Sequence, residues 1–125
     1  MSKKILIAED EKNVILGLRT CLDAVGYQMD IVEDGEQALE SVQREHPSLI
    51  LLDLLMPNVD GFEVLKEVKG NDETKHIPII VITAKAEEED RQRAMDLGAD
   101  DYMTKPFKPQ ELWDLLKQYL PEYEF

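Results

Sequence analysis

The sequence predicts an α/β domain in which five parallel strands form one doubly wound sheet with helices on both faces. Two observations lead to this prediction. Short apolar runs alternate along the chain with segments whose apolar residues recur at the period of a helix. Strands of a parallel sheet are buried on both faces, so they read as continuous apolar runs. Five βα units in series favour the strand order 2-1-3-4-5 and one domain over residues 1–125.

The five strands differ in how clearly the sequence marks them. Residues 5–8, 49–52 and 77–82 form apolar runs and are the strongest candidates for strands 1, 3 and 4. Residues 27–32 and 101–103 are weaker candidates for strands 2 and 5. Because a helical stretch separates each run from the next, the connections are expected to place helices over both faces of the sheet.

The helices are predicted from stripes of apolar side chains at helical spacing. The four clear stripes consist of Val14, Leu18, Cys21, Leu22 and Val25; Ala38, Leu39 and Val42; Phe62, Leu65 and Val68; and Leu112, Leu115, Leu116 and Tyr119. A weaker helix is predicted over residues 87–97, with Ala94 and Leu97 facing inward. Pro121 is predicted to end the last helix, since proline cannot continue it.

Residues that favour helix ends lie where the stripes stop. Gly26, Gly70 and Gly98 are predicted to end helices, because glycine adopts the left-handed conformation at little cost. Asp34 and Asp60 precede two of the stripes, and their side-chain oxygens are predicted to cap the helix starts.

The composition excludes several classes of protein. The chain carries 27 acidic and 14 basic residues, a net charge of −13, which disfavours direct binding to nucleic acid. Cys21 is the only cysteine, so no internal disulfide forms, as is usual in a reducing cytosol. No apolar run approaches the ~20 residues that a membrane helix needs. We therefore expect a cytoplasmic protein without membrane contact.

Polar residues follow the predicted strands at their carboxyl ends. Glu9 and Asp10 follow strand 1, Asp53 follows strand 3, Thr83 ends strand 4, and Lys105 follows strand 5. Ligands of such sheets bind beyond the carboxyl ends of the strands, so these side chains are expected to converge. A single acid here would indicate only a helix cap. Three converging carboxylates repel one another, and an open set of oxygen ligands suits Mg²⁺.

Four segments resemble the signature motifs of response-regulator receivers, of the chemotaxis-type, single-domain kind with the flavodoxin-like (βα)5 fold. Residues 5–11 resemble their acidic-pair motif, and residues 51–61 resemble their phosphorylation motif. Residues 81–84 resemble their hydroxyl motif, and residues 98–107 resemble their last signature. The resemblance covers essentially the whole chain, with the motifs in the same order and spacing.

This resemblance implies that Asp53 accepts a phosphoryl group from a phosphohistidine on a sensor histidine kinase or a phosphotransfer protein. It implies Mg²⁺ as the cofactor, bound directly by Asp10, Asp53 and the backbone carbonyl of Leu55. Glu9 would support the metal through a water. Many receivers have aspartate at this position, so the longer side chain is expected to alter the metal affinity.

The resemblance also assigns roles to residues on strands 4 and 5. Thr83 would donate a hydrogen bond to one phosphoryl oxygen, and Lys105 would pair with another. The bond from Lys105 to Pro106 is expected to be cis. Tyr102 is expected to turn inward on phosphorylation and to signal to a downstream protein through the face formed by helix 4, strand 5 and helix 5.

Two further residues are expected to set the lifetime of the phosphoryl group. Leu55 lies two residues after the acceptor, and Lys85 lies two residues after Thr83. Leu55 cannot form a side-chain hydrogen bond, and charged Lys85 donates but cannot accept one. Neither side chain can activate a water, so slow self-dephosphorylation is expected.

Three other functions are less compatible with the sequence. A flavodoxin-like electron carrier needs a phosphate-binding loop after strand 1, where this chain has the acids 9–11. A hydrolase that forms an aspartyl phosphate needs an acid two residues after its nucleophile, where this chain has Leu55. A degenerate receiver that serves only in docking is expected to lack a site residue, and all are present.

Trp113 remains open between two interpretations. It borders the apolar stripe of the last helix, about 100° from Leu112. It is either a boundary residue that its neighbours half cover or an anchor for a partner protein. His46 and His76 are interpreted as ordinary surface residues at the opposite edge of the sheet.

Overall fold

The computed structural model describes residues 4–120, which form one five-stranded parallel sheet and five helices. The strands are β1 Lys4–Ala8, β2 Gln28–Val32, β3 Leu49–Leu52, β4 Ile79–Thr83 and β5 Asp101–Thr104. The helices are α1 Lys12–Ala24, α2 Gly35–Glu45, α3 Gly61–Lys69, α4 Glu88–Asp96 and α5 Pro109–Tyr119. The strand order β2-β1-β3-β4-β5 confirms the predicted fold class.

The sheet separates two apolar cores. Alternate side chains of each strand point to opposite faces. Leu6, Ile50 and Val81 pack with α2, α3 and Ala94 of α4. The residues that adjoin them in each strand, such as Ile7, pack with α1 and α5 on the other face. Burial on both faces explains why the central strands read as continuous apolar runs.

The weaker sequence signals correspond to particular structural features. β2 is an edge strand, and all of its residues are at least partly exposed. β4 begins at Ile79 rather than at residue 77 as predicted, because Pro78 has no N–H to donate to a neighbouring strand. α4 buries only Ala94 fully, which is consistent with its faint apolar stripe.

The helix starts agree with the sequence, and one helix end does not. Asp34 accepts a hydrogen bond from the N–H of Gln37, and Asp60 accepts one from the N–H of Glu63. Gly70 ends α3 at φ −85°, so the prediction of a left-handed conformation at this residue is wrong.

The left-handed helix ends lie at three other positions. Gly26 and Gly98 have φ values of 78° and 105°, as predicted. His46 ends α2 at φ 48°, and no glycine at this position indicated a left-handed helix end. Pro121 lies outside the described residues. Within 4–120, the helices are all too short or too polar to span a membrane.

The loop between β3 and α3 is packed closely against the start of α2. Asn58 Nδ2 donates a hydrogen bond to Asp34 Oδ2 at 3.0 Å. A Cβ atom at Gly35 would overlap the backbone carbonyl of Val59. The loop that follows the third strand therefore has no free space on its α2 side.

Candidate functional site

Asp53 is held by backbone contacts at the carboxyl edge of the sheet. It directly follows β3, and its N–H donates to the carbonyl of Ala8 at 3.0 Å. The residue is only 2% exposed. Oδ1 accepts a hydrogen bond from the N–H of Leu55 at 3.1 Å, and Oδ2 accepts one from Lys105 Nζ at 3.1 Å. The carboxylate is thus fixed in orientation as well as in position.

Two further acids converge on this carboxylate. Oxygen atoms of Glu9, Asp10 and Asp53 all lie within 4.8 Å of one another. Glu9 is 2% exposed, and its Oε2 accepts hydrogen bonds from the backbone N–H groups of Asp10 and Glu11. Asp10 is exposed, so one carboxylate of the cluster faces solvent.

Lys105 balances part of this charge. Its Nζ donates to Glu9 Oε1 at 2.8 Å, to Glu11 Oε1 at 2.9 Å and to Asp53 Oδ2 at 3.1 Å. Burial alone would lower the pKa of Lys105, but the hydrogen bonds that its ammonium group donates to the three carboxylates outweigh burial and raise the pKa. The contact to Glu11 was not predicted. The only indication in the sequence was that Glu11 is the third acid after strand 1.

The pKa of Glu9 is raised mainly by its burial. Burial raises the pKa of this carboxyl to about 7, and the charge of Asp53 adds to the effect. Hydrogen bonds from Lys105 and from the N–H of Glu11 act in the opposite direction without cancelling it. Burial therefore has the stronger effect on the pKa of Glu9, whereas the hydrogen bonds to carboxylates together have the stronger effect on the pKa of Lys105.

The donor set fits a small divalent cation. Three carboxylates supply oxygen ligands from one side, and Mg²⁺ binds to one or two carboxylates while keeping several waters. The exposure of Asp10 leaves space for such waters. Asp10 and Asp53 are therefore the carboxylates that would bind Mg²⁺ directly, with the carbonyl of Leu55 as the third predicted ligand. Glu9 would support the metal through a water.

Thr83 and Tyr102 lie on the two neighbouring strands. Thr83 ends β4, is completely buried, and its Oγ1 accepts a hydrogen bond from the N–H of Lys85 at 3.3 Å. Tyr102 is buried, and its hydroxyl donates to the carbonyl of Lys85. The ring thus already occupies the inward position that was expected to follow phosphorylation. The bond between Lys105 and Pro106 is cis, as predicted.

A hollow of about 610 Å³ opens beside the acids, between the β3–α3 loop and α4. Its walls are Asp10, Leu54, Leu55, Met56, Pro57, Asp60, Phe62, Lys85 and Arg93. Leu55 is 49% exposed here, and Lys85 Nζ lies 3.6 Å from Asp90 Oδ1. The two residues with a predicted effect on lifetime therefore border one space.

Trp113 packs and hydrogen-bonds within its own chain. It is half-buried against the α1 and α5 core, and its indole N–H donates to the carbonyl of Cys21 at 3.1 Å. This contact favours the boundary interpretation over the partner anchor.

His46 and His76 are exposed in the segments that lead into β3 and β4, away from the acids.

Comparison with known sequences gives one consistent family. The model of the response regulator receiver domain family matches residues 5–117. The chain is 42% identical over 124 residues to the alkaline phosphatase synthesis transcriptional regulatory protein PhoP of Bacillus subtilis (strain 168). That match covers 99% of this chain and 51% of PhoP. The chain spans about half the length of the curated relatives it matches.

Solved structures agree with the sequence comparison. The receiver domain of a sensor histidine kinase from Pseudomonas aeruginosa PAO1 has a TM-score of 0.88 and 32% identity, covering 98% of this chain and 100% of that one. That structure has a magnesium ion coordinated in its active-site cleft. The phosphorylated cyanobacterial phytochrome response regulator RcpA has a TM-score of 0.85 and 31% identity, covering 99% of this chain and 98% of that one.

Proposed function

Because this chain belongs to the response regulator receiver domain family, whose members are signalling proteins of two-component systems, we propose that Asp53 is its phosphoryl acceptor. The donor is the phosphohistidine of a sensor histidine kinase or a phosphotransfer protein. The observation that carries the proposal is the environment of Asp53, a buried and fixed carboxylate beside two acids and one ammonium group.

Side chains of the site can carry out the transfer. Asp53 Oδ attacks phosphorus while the bond from phosphorus to the imidazole nitrogen breaks, and its electron pair stays on the nitrogen. Lys105 already contacts Asp53 Oδ2 and can donate to an oxygen of the incoming group. Thr83 is the second proposed donor, from the neighbouring strand. Positioning and charge stabilisation of this kind account for most of the catalysis in phosphoryl transfer.

Mg²⁺ is the proposed cofactor, held by Glu9, Asp10, Asp53 and the carbonyl of Leu55. When bound, it neutralises charge on the phosphoryl oxygens. The three carboxylates, whose oxygens lie within 4.8 Å of one another, support a requirement for added positive charge.

The proposal is tested by intact-mass measurement after incubation with acetyl phosphate. We expect the chain to gain one phosphoryl group in the presence of Mg²⁺ and none when the metal is chelated. A chain that gains no mass, or that gains the same mass without a divalent cation, would contradict the proposal.

We further propose that Thr83 and Tyr102 couple the acceptor to the face formed by α4, β5 and α5. The inward Tyr102 hydroxyl and the Thr83 hydroxyl both bind the backbone of Lys85, which supports a shared response. Phosphorylation would then hold Tyr102 in its present position rather than draw it inward. The face would contact a downstream protein or an output domain, and the net charge of −13 disfavours direct contact with nucleic acid.

The curated relatives include transcriptional regulatory proteins such as PhoP and PhoB. The chemotaxis-type subtype therefore stays a prediction, as does the single domain over residues 1–125. The cytoplasmic location is likewise proposed from the family and the composition.

The lifetime of the phosphoryl group is predicted to depend on Leu55 and Lys85. Both border the hollow that Asp10 also lines, and neither can act as a base. We expect a Leu55→Asn, Lys85→Glu double variant to lose its phosphoryl group several-fold faster than the parent, because both new side chains can orient a water. Mass spectrometry after removal of the donor gives the rate.

The matched control for this prediction is a Leu16→Asn, Lys66→Glu double variant. It makes the same two chemical changes at exposed positions on α1 and α3, which do not line the hollow. If the control and the hollow variant lose label at equal rates, the two positions do not govern the attacking water.

A further inference from the structure

The hollow lies next to the acceptor, because its walls include Asp10 and the two residues that follow Asp53, Leu54 and Leu55. Lys105 binds one oxygen of Asp53, and the N–H of Leu55 binds the other. Asp10, whose carboxylate belongs to the same cluster, lines the hollow. In phosphoryl transfer the nucleophile and the leaving group lie roughly in line, on opposite sides of phosphorus. With Asp53 as the nucleophile, a leaving group that departs on the side of Asp10 and Leu55 would lie in this space.

Arg93 is a cation on the wall of that hollow. Its guanidinium carbon lies 4.0 Å from the centroid of the Phe62 ring, a distance that gives a favourable cation–π contact. Within residues 4–120, no carboxylate lies within ion-pair distance of Arg93, although the chain is rich in acids. The other cation on the wall, Lys85, lies 3.6 Å from Asp90. Arg93 is therefore positioned by Phe62 and available to an anion.

We propose that Arg93 is a specificity-determining residue that favours phosphodonors with an anionic leaving group, such as acyl phosphates. The inference rests on the proposed role of Asp53. With an acyl phosphate, Asp53 Oδ forms the new bond to phosphorus while the bond from phosphorus to the acyl oxygen breaks. The electron pair leaves with that oxygen as a carboxylate, and no proton is required.

The charge of the surroundings makes a cation valuable at this step. A carboxylate expelled near Asp10 and Asp60 meets two like charges on the same walls. Arg93 offsets this repulsion, and a guanidinium group can bind both oxygens of a carboxylate in a planar, bidentate contact.

A phosphoramidate behaves differently, because its leaving group is a neutral amine. Its protonated nitrogen departs as ammonia, and phosphohistidine similarly leaves as imidazole. Neither product gains from a nearby guanidinium. Arg93 should thus affect the ratio of the rates for the two donor classes, rather than the overall reactivity of Asp53.

The experiment compares Arg93→Gln with Arg91→Gln. Both remove one charge from α4, but Arg91 lies over the ring of Tyr102 and does not line the hollow. Phosphoryl incorporation is followed by mass with acetyl phosphate and with phosphoramidate, each with Mg²⁺ and at two ionic strengths. For Arg93→Gln, we expect kcat/KM for acetyl phosphate to fall by up to about fivefold, the upper end of the effect of one exposed charge. The phosphoramidate rate should be unchanged.

Arg91→Gln should alter neither donor, and Arg93→Lys should recover part of the acetyl phosphate rate. Added salt should slow acetyl phosphate in the parent more than in Arg93→Gln. The inference is overturned if Arg93→Gln and Arg91→Gln have the same ratio of donor rates. If the parent is still labelled normally at Asp53 when this happens, only the role of Arg93 is rejected and the proposed function stands. If the parent is not labelled at all, the role of Arg93 and the proposed function are both rejected.

Discussion

Asp53→Asn is expected to abolish incorporation of the phosphoryl group. An amide oxygen is a much weaker nucleophile than a carboxylate, so the acyl phosphate cannot form at this position. The change is nearly isosteric, and the new side chain can still accept the hydrogen bond that Leu55 N–H gives to Oδ1. Lys105 also keeps its contacts to Glu9 and Glu11, so we expect the variant to fold.

The measurement is intact mass after incubation with acetyl phosphate and Mg²⁺. Asp114→Asn is the matched control, because it makes the same chemical change on the exposed side of α5. The control should be labelled as fully as the parent. Label that persists in Asp53→Asn and maps to another carboxylate would reject Asp53 as the acceptor.

Lys105→Met is expected to cause the largest loss of stability among substitutions at the site. It removes the cation that contacts Glu9, Glu11 and Asp53, and two of these carboxylates are buried. Removing one partner of a buried ion pair costs about 3–5 kcal/mol. We expect about 3 kcal/mol here, the lower end of that range, because one side of the site is open.

Mg²⁺ should restore part of this stability. A cation that binds the folded state and not the unfolded one stabilises by mass action. Urea unfolding with and without Mg²⁺ measures both effects, and Lys66→Met, on the exposed face of α3, is the control. A Lys105→Met variant as stable as this control would show that Lys105 does not offset the acidic charge. If Mg²⁺ has no effect on Lys105→Met, the acidic cluster is not a metal site.

The sequence predicted the fold because the signals that matter are local. Runs such as 49–52 are apolar at every position, since both faces of a central strand are buried. The convergence of Glu9, Asp10 and Asp53 followed from topology alone. Once strands 1 and 3 are parallel neighbours, their carboxyl ends meet at one edge whatever the details of packing.

The features that escaped prediction depend on long-range geometry. The contact between Lys105 and Glu11 joins residues 94 apart in the chain and depends on side-chain rotamers. The packing of Arg93 on Phe62 depends on how α4 lies against α3. The hydrogen bond from Trp113 to Cys21 depends likewise on the contact between α5 and α1. No periodicity or motif encodes these distances.

The close packing of the β3–α3 loop against α2 means that the two sides of Asp53 differ in how easily they can move. On the α2 flank, Asn58 donates a hydrogen bond to Asp34, and the backbone of Val59 lies against Gly35. The β3–α3 loop therefore has little room to move towards α2. The α4 flank is hollow and therefore compliant. A bulky group added at Asp53 is expected to deform the compliant side first. The close contact between Gly35 and Val59 therefore favours the spread of a local disturbance at Asp53 towards α4 rather than towards α2.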